Sequence, residues 1–174
     1  MLLVVVDKIR SINLMPTIKS KNKFLTHYYG ATAPYGNMSV LTYYIDTNDI
    51  GALIHSDTDT AVQTGDVIDI GELPEGFCMT DAQVFVMTGM TATATASLGF
   101  AYEDGVDDAD VPQDAEYFLK AGADVATDGR LRADGSDLVI LPKTARLILT
   151  MGRASNDKAS SIRVAVTGEL TGSK

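Results

Sequence analysis

From Met90 onward the apolar residues fall on every even position: Met90, Ala92, Ala94, Ala96, Leu98 and Phe100. Thr91, Thr93, Thr95, Ser97 and Gly99 fill the odd ones. Successive side chains of an extended backbone point to opposite sides, so unbroken alternation over eleven residues predicts a strand with one buried and one hydroxylated face. A helix would scatter the same groups around its axis. The pattern recurs where Ile162, Val164 and Val166 alternate with Ser161, Arg163 and Thr167, Ala165 being a tolerable exception. Residues 66–70, 82–88, 138–141 and 146–151 are short runs rich in β-branched or large apolar residues, each bounded by Gly, Pro, Asp or Asn.

Turn signals separate these runs: Leu73-Pro74-Glu75-Gly76, Thr88-Gly89, Asp104-Gly105, Asp128-Gly129, Asp134-Gly135, Leu141-Pro142 and Ser155-Asn156-Asp157. Strands at such intervals indicate an all-β sandwich or barrel rather than alternating α and β units. Residues 110–122 fit either one helical turn, capped by Asp110 or Asp114 and stopped by Gly122, or a strand carrying Tyr117, Phe118 and Leu119. The chain has 174 residues, 45% of them hydrophobic, which suffices for one self-supporting core. The expected organisation is one sandwich domain over residues 36–174 behind an extended arm at residues 1–35. That arm carries Phe24, Tyr28, Tyr29 and Tyr35 without strand or helix period.

The net charge of −9 is unevenly placed. Residues 1–23 sum to +4, residues 24–119 hold sixteen carboxylates and no Lys or Arg, and residues 120–174 sum to +3. The middle of the chain therefore cannot pair lysine or arginine within itself. Either its carboxylates are solvated, or cations from the two ends or from a neighbouring chain lie among them. The acidic total argues against nucleic acid as a partner, since phosphate binding needs a cationic surface. The opening apolar run, Met1 to Val6, is too short to export or span, and no other stretch approaches the ~18 apolar residues of a membrane helix.

Catalytic constellations are thin. His27 sits beside Tyr28 and Tyr29 as a surface or interface residue, His55 reads as a strand end, and no Ser lies in a Gly-x-Ser-x-Gly turn. Cys78, the only cysteine, reads as apolar filler, and with two separated histidines no zinc set can be assembled within one chain. Residues 103–110 concentrate five carboxylates but lack the ligand spacing of a helix-loop-helix calcium site, so a solvated acidic loop is the expectation. No enzyme activity and no cofactor are expected.

The segment Gly65-Asp66-Val67-Ile68-Asp69-Ile70-Gly71-Glu72-Leu73-Pro74-Glu75-Gly76 resembles the small β-rich virion proteins of tailed bacteriophages. Leu98-Gly99-Phe100, Phe118-Leu119 with Ala121-Gly122-Ala123-Asp124, Leu141-Pro142-Lys143 and Val164-Ala165-Val166-Thr167-Gly168 continue the likeness, which covers roughly residues 60–170. The resemblance implies a capsid decoration or cement protein. Such a protein is a jelly-roll-like β-sandwich, commonly a homotrimer, that sits on the capsid exterior and bridges neighbouring major capsid subunits. The arm lies outside the likeness. Its Lys19, Lys21, Lys23, Phe24, Tyr28, Tyr29 and Tyr35 are expected from their charge and aromaticity to contact a neighbouring subunit. The alternative is a glycan- or host-surface-binding module of a head or tail fibre, for which Tyr28, Tyr29, Tyr43 and Tyr44 would serve, unless the last two simply pack in a strand.

Overall fold

The computed structural model describes residues 17–19, 38–134 and 137–171. Their regular structure is all strand: β1 (Thr17–Lys19), β2 (Met38–Thr47), β3 (Val67–Leu73), β4 (Phe77–Thr88), β5 (Thr95–Tyr102), β6 (Asp114–Asp124), β7 (Gly129–Arg132), β8 (Val139–Ile140), β9 (Ala145–Gly152) and β10 (Ser160–Leu170). One sheet has the order β1-β3-β9-β5-β6 and the other β2-β10-β4-β7, with β8 also paired to β4. Most successive strands pass between the two layers, β5–β6 and β7–β8 being the exceptions, and β2, the first long strand, lies beside β10, the last. Every pairing is antiparallel except that of β1 with β3. Among the described residues no helix is long and apolar enough to cross a membrane.

The layers close on an apolar interior that follows the two-residue period. In β10, Ile162, Val164 and Val166 are fully buried while Arg163 is exposed. Leu41, Tyr43 and Ile45 of β2 face them from the same sheet, and Ile68, Leu73, Leu98, Phe100, Leu147 and Leu149 from the other. Tyr43 crosses the gap: its hydroxyl donates to the Glu72 carbonyl at 2.6 Å. A Cβ on Gly71 would stand 2.6 Å from its ring, so the residue beneath it must be glycine.

The most regular stretch of the sequence departs from its expectation. The strand begins at Thr95, and residues 90–94 form a turn in which the Ala94 amide donates to the Thr91 carbonyl at 3.0 Å and Thr93 takes a positive φ of 70°. Nor is the odd face wet, because Thr95 and Ser97 are buried. β5 lies between β9 and β6, and β6 slips register so that Leu98 pairs with Leu119 but Phe100 with Asp114. The slack folds the Asp114–Ala115 backbone over Gly99, where a Cβ would lie 2.0 Å from the Asp114 oxygen. Within residues 110–122 the strand alternative holds from Asp114 on: the Asp114 carboxylate accepts the Glu116 amide rather than capping a helix, and Gly122 at φ +100° lies inside the strand instead of stopping it.

Thr17–Lys19 lies within the segment expected as an arm, yet it forms an edge strand of the first sheet, with Ile18 opposite Ile68 and buried in the core. The rest of residues 1–35 lies outside the described residues.

Candidate functional site

Of the residues expected to contact a partner, only Lys19 is described; Lys21, Lys23, Phe24, Tyr28, Tyr29 and Tyr35 lie outside the described residues, as does His27. Lys19 is exposed at the end of β1 and pairs with Asp69. Its amide donates to the Asp57 carboxylate at 3.2 Å, and the Asp57 amide donates back to its carbonyl at 3.2 Å. The side chain rims an open recess of about 380 Å³, together with Asp69, Tyr102, Glu103 and Arg146. Asp69 is buried, and Arg146 holds it with Nε at 2.9 and 3.1 Å and Nη2 at 2.9 Å. Multiple donors from one guanidinium satisfy a carboxylate that burial would otherwise penalise.

The ion pairs among the described residues show where the middle segment finds cations. Asp69 pairs with Arg146, Asp81 with Arg132 and Asp104 with Lys143, in each case a middle-segment carboxylate with a base from residues 120–174.

The acidic loop turns much of its carboxylate capacity on itself. Asp104 accepts the Val106 amide, Asp107 those of Asp108 and Gln113, and Asp108 those of Asp110 and Val111. Lys143 Nζ anchors the loop by donating to both Asp104 oxygens, at 3.0 and 2.7 Å, and to the Val106 carbonyl at 2.6 Å, while lying 4.6 Å from the Tyr102 ring centroid. The Lys143 hydrogen bond, helped by the Val106 amide, holds the Asp104 carboxyl below its usual range. Burial, reinforced by Asp108, Asp107 and Asp104, pushes the Tyr102 hydroxyl up to about 12. No group of three or more metal-ligating side chains converges among the described residues.

Other expectations resolve individually. Cys78 is half-buried on β4, between Ile140 and Glu169, rather than core filler. His55 occupies a turn at φ 59°, not a strand end. Tyr43 is wholly buried and so closed to a glycan, whereas Tyr44 is half-buried on the outer face.

That outer face, on the second sheet, holds a feature the sequence did not announce. Tyr44, Arg163, Phe85 and Arg130 are successive partners across β2, β10, β4 and β7. The Arg163 guanidinium carbon lies 4.8 Å from the Tyr44 ring centroid and that of Arg130 lies 5.4 Å from Phe85. Rings and cations thus alternate in one row, each cation over the negative face of its neighbour. Arg132 in the next row pairs with Asp81 at 3.4 Å. Neither Arg130 nor Arg163 has a carboxylate within 4.0 Å among the described residues. Exposed Met87 lies beyond Phe85 and Val86 on β4. Tyrosine, phenylalanine and arginine gathered on a solvent-facing sheet are the residue types that anchor protein interfaces. The four residues are far apart in sequence; only Arg130-Leu131-Arg132, placing two arginines on one face of a strand, hinted at it.

No family model and no curated protein matches the sequence. Solved structures do match in fold. A chain of the capsid of Ralstonia phage GP4 is similar with a TM-score of 0.57 at 18% identity, covering 90% of this chain and 99% of that one. A chain of the cyanophage Pam1 capsid asymmetric unit is similar with a TM-score of 0.50 at 18% identity, covering 80% and 91%. The protein is therefore a β-sandwich of the kind found in the capsids of these two phages.

Proposed function

We propose that this chain is a non-enzymatic structural protein of a phage virion, placed on the capsid exterior, where it decorates the shell and bridges neighbouring major capsid subunits as a homotrimer. The observation that carries the reading is the match to a capsid chain over 99% of that chain's length, which takes in nearly the whole sandwich and not a shared sub-motif. The aromatic and arginine row offers a contact surface in keeping with it. The basic, aromatic segment containing Lys19, Lys21, Lys23, Phe24, Tyr28, Tyr29 and Tyr35 extends the contact to a neighbouring subunit in this proposal. A modest contact per chain then suffices, because many symmetric copies act together.

The test is reconstitution. Purified protein added to shells lacking it should bind saturably and raise their resistance to heat or chelator. Absent saturable binding, with shell stability unchanged, the reading is wrong.

A further inference from the structure

We infer that the outer face of the second sheet docks the acidic loop of a second copy of this chain. The row Tyr44-Arg163-Phe85-Arg130 presents two guanidinium groups that rest on rings and have no carboxylate partner in their own chain among the described residues. In a chain of net charge −9 this sets two unneutralised cations in one row with aromatic rings. The strongest complementary surface on the molecule is the stretch of residues 103–116, with seven carboxylates and no base. Only Asp104 of these is in an ion pair among the described residues, and Glu103, Asp110 and Glu116 are exposed. Val106, 61% exposed at the tip, supplies an apolar contact matching exposed Met87 and half-buried Phe85.

The two surfaces belong to different places on the sandwich. The loop leaves the Tyr102 end of β5, beside the start of β9. The row crosses the other sheet towards the Thr47 end of β2 and the Thr88 end of β4. A contact between them is therefore between copies. Two cationic rows would repel each other, so the row of one copy meets the loop of another, either reciprocally in a twofold pair or head-to-tail in a repeating assembly. This rests on the proposed role only in taking assembly with identical copies as its setting. It concerns the isolated protein and can fail while shell binding stands.

The experiment is sedimentation velocity of the full chain at low and high salt. The wild type should associate, and raising the salt should weaken association by about tenfold or more, as contacts between exposed charges are screened. Arg130→Glu with Arg163→Glu, or Glu103→Lys with Asp110→Lys, should each weaken it comparably. All four substitutions in one chain restore complementarity and should restore association. If the arginine variant fails to fold, the loop variant carries the test, since Glu103 and Asp110 are exposed loop residues. A monomeric wild type, association indifferent to these substitutions, or four substitutions no better than two would overturn the inference. Loss of self-association with saturable shell binding retained would count against this contact and not against the role in the shell.

Discussion

Arg163 and Tyr44 are direct cross-strand partners of β10 and β2, and the guanidinium carbon of the one lies 4.8 Å from the ring centroid of the other. The pair stands on the solvent side of strands whose opposite side carries the fully buried Val164, Ile162, Tyr43 and Ile45. Its coupling can therefore be measured without disturbing the core. In a double-mutant cycle with Tyr44→Leu and Arg163→Gln, denaturant unfolding should give a coupling of about 0.5–1 kcal/mol, the usual size for an exposed cation over a ring. Strictly additive losses would mean that the ring and the cation merely sit together.

Gly99 is a steric requirement. A Cβ there would meet the Asp114 oxygen at 2.0 Å and the Ala115 carbonyl carbon at 2.4 Å, both backbone atoms that cannot swing aside. Gly99→Ala should cost about 1–3 kcal/mol as β6 is pushed off β5. Gly105→Ala is the comparison: nothing lies within 4 Å of its Cβ, so only the strain of φ +69° opposes it. Equal denaturation midpoints for Gly99→Ala and the wild type would show that the register slip of β6 is not held by this contact.

One side chain joins three loops at an end of the sandwich. Asn156 is fully buried; its amide donates to Thr47 Oγ1 at 2.9 Å and to the Lys158 carbonyl at 2.8 Å. Its oxygen accepts the Thr91 amide at 3.1 Å. Thr47 Oγ1 in turn accepts the Ser160 amide at 2.9 Å, so the network reaches the start of β10. Asn156→Ala would strand several buried polar groups at once and should lower stability by about 2–4 kcal/mol. Asn156→Asp keeps the shape but turns two donors into acceptors facing the Lys158 carbonyl and Thr47. It should be no better tolerated near neutral pH, and a wild-type melting temperature for it would refute the network.

Alkaline pH should weaken the fold through Tyr102. Its hydroxyl donates to the Val111 carbonyl at 2.5 Å, and burial with the surrounding Asp108, Asp107 and Asp104 raises its pKa from 10.0 to about 12. Between these values the unfolded chain has lost the phenolic proton and the folded chain retains it. The stabilisation is complete below pH 10 and drains away as pH rises towards 12. Tyr102→Phe removes this component, so its stability should fall less steeply across that window, although it starts lower for want of the hydrogen bond. Parallel slopes for the two proteins would show that Tyr102 does not carry the effect.

The buried face of the fold was legible and the outer face was not, for the same physical reason. Burial imposes a period of two on residues such as Ile162, Val164 and Val166, and that period is written locally. The fully regular run from Met90 misled because its regularity is compositional: Ala and Thr fill positions 91–94 whether they form a turn or a strand. Its odd positions are covered by a slip in β6 that no local pattern records. The row of Tyr44, Arg163, Phe85 and Arg130 depends on strand order and register, which make neighbours of residues from 45 to 119 positions apart. The charge distribution did carry long-range information. A middle segment without bases leaves its carboxylates either to solvent or to cations from elsewhere, and Asp69, Asp81 and Asp104 take theirs from the C-terminal third.

Separate substitutions can divide the edge-strand role of β1 from the partner contact proposed for the basic residues that follow it. Ile18 is 3% exposed opposite Ile68, and β1 covers the edge of β3 through parallel pairing. Ile18→Ala should therefore cost about 2 kcal/mol or more, which for a domain of this size lowers the melting temperature by about 4–8 °C. Lys21→Glu with Lys23→Glu lies beyond β1 and should leave the melting temperature unchanged while weakening shell binding, if the basic segment contacts a neighbouring subunit as proposed. Deleting residues 1–23 removes both features and cannot tell them apart, because a destabilised sandwich would also bind poorly. The informative result is a split: Ile18→Ala moving thermal stability, the double lysine variant moving only affinity for shells. A double lysine variant that binds as tightly as the wild type would leave the first sheet with its edge strand but remove the basic segment from the interface.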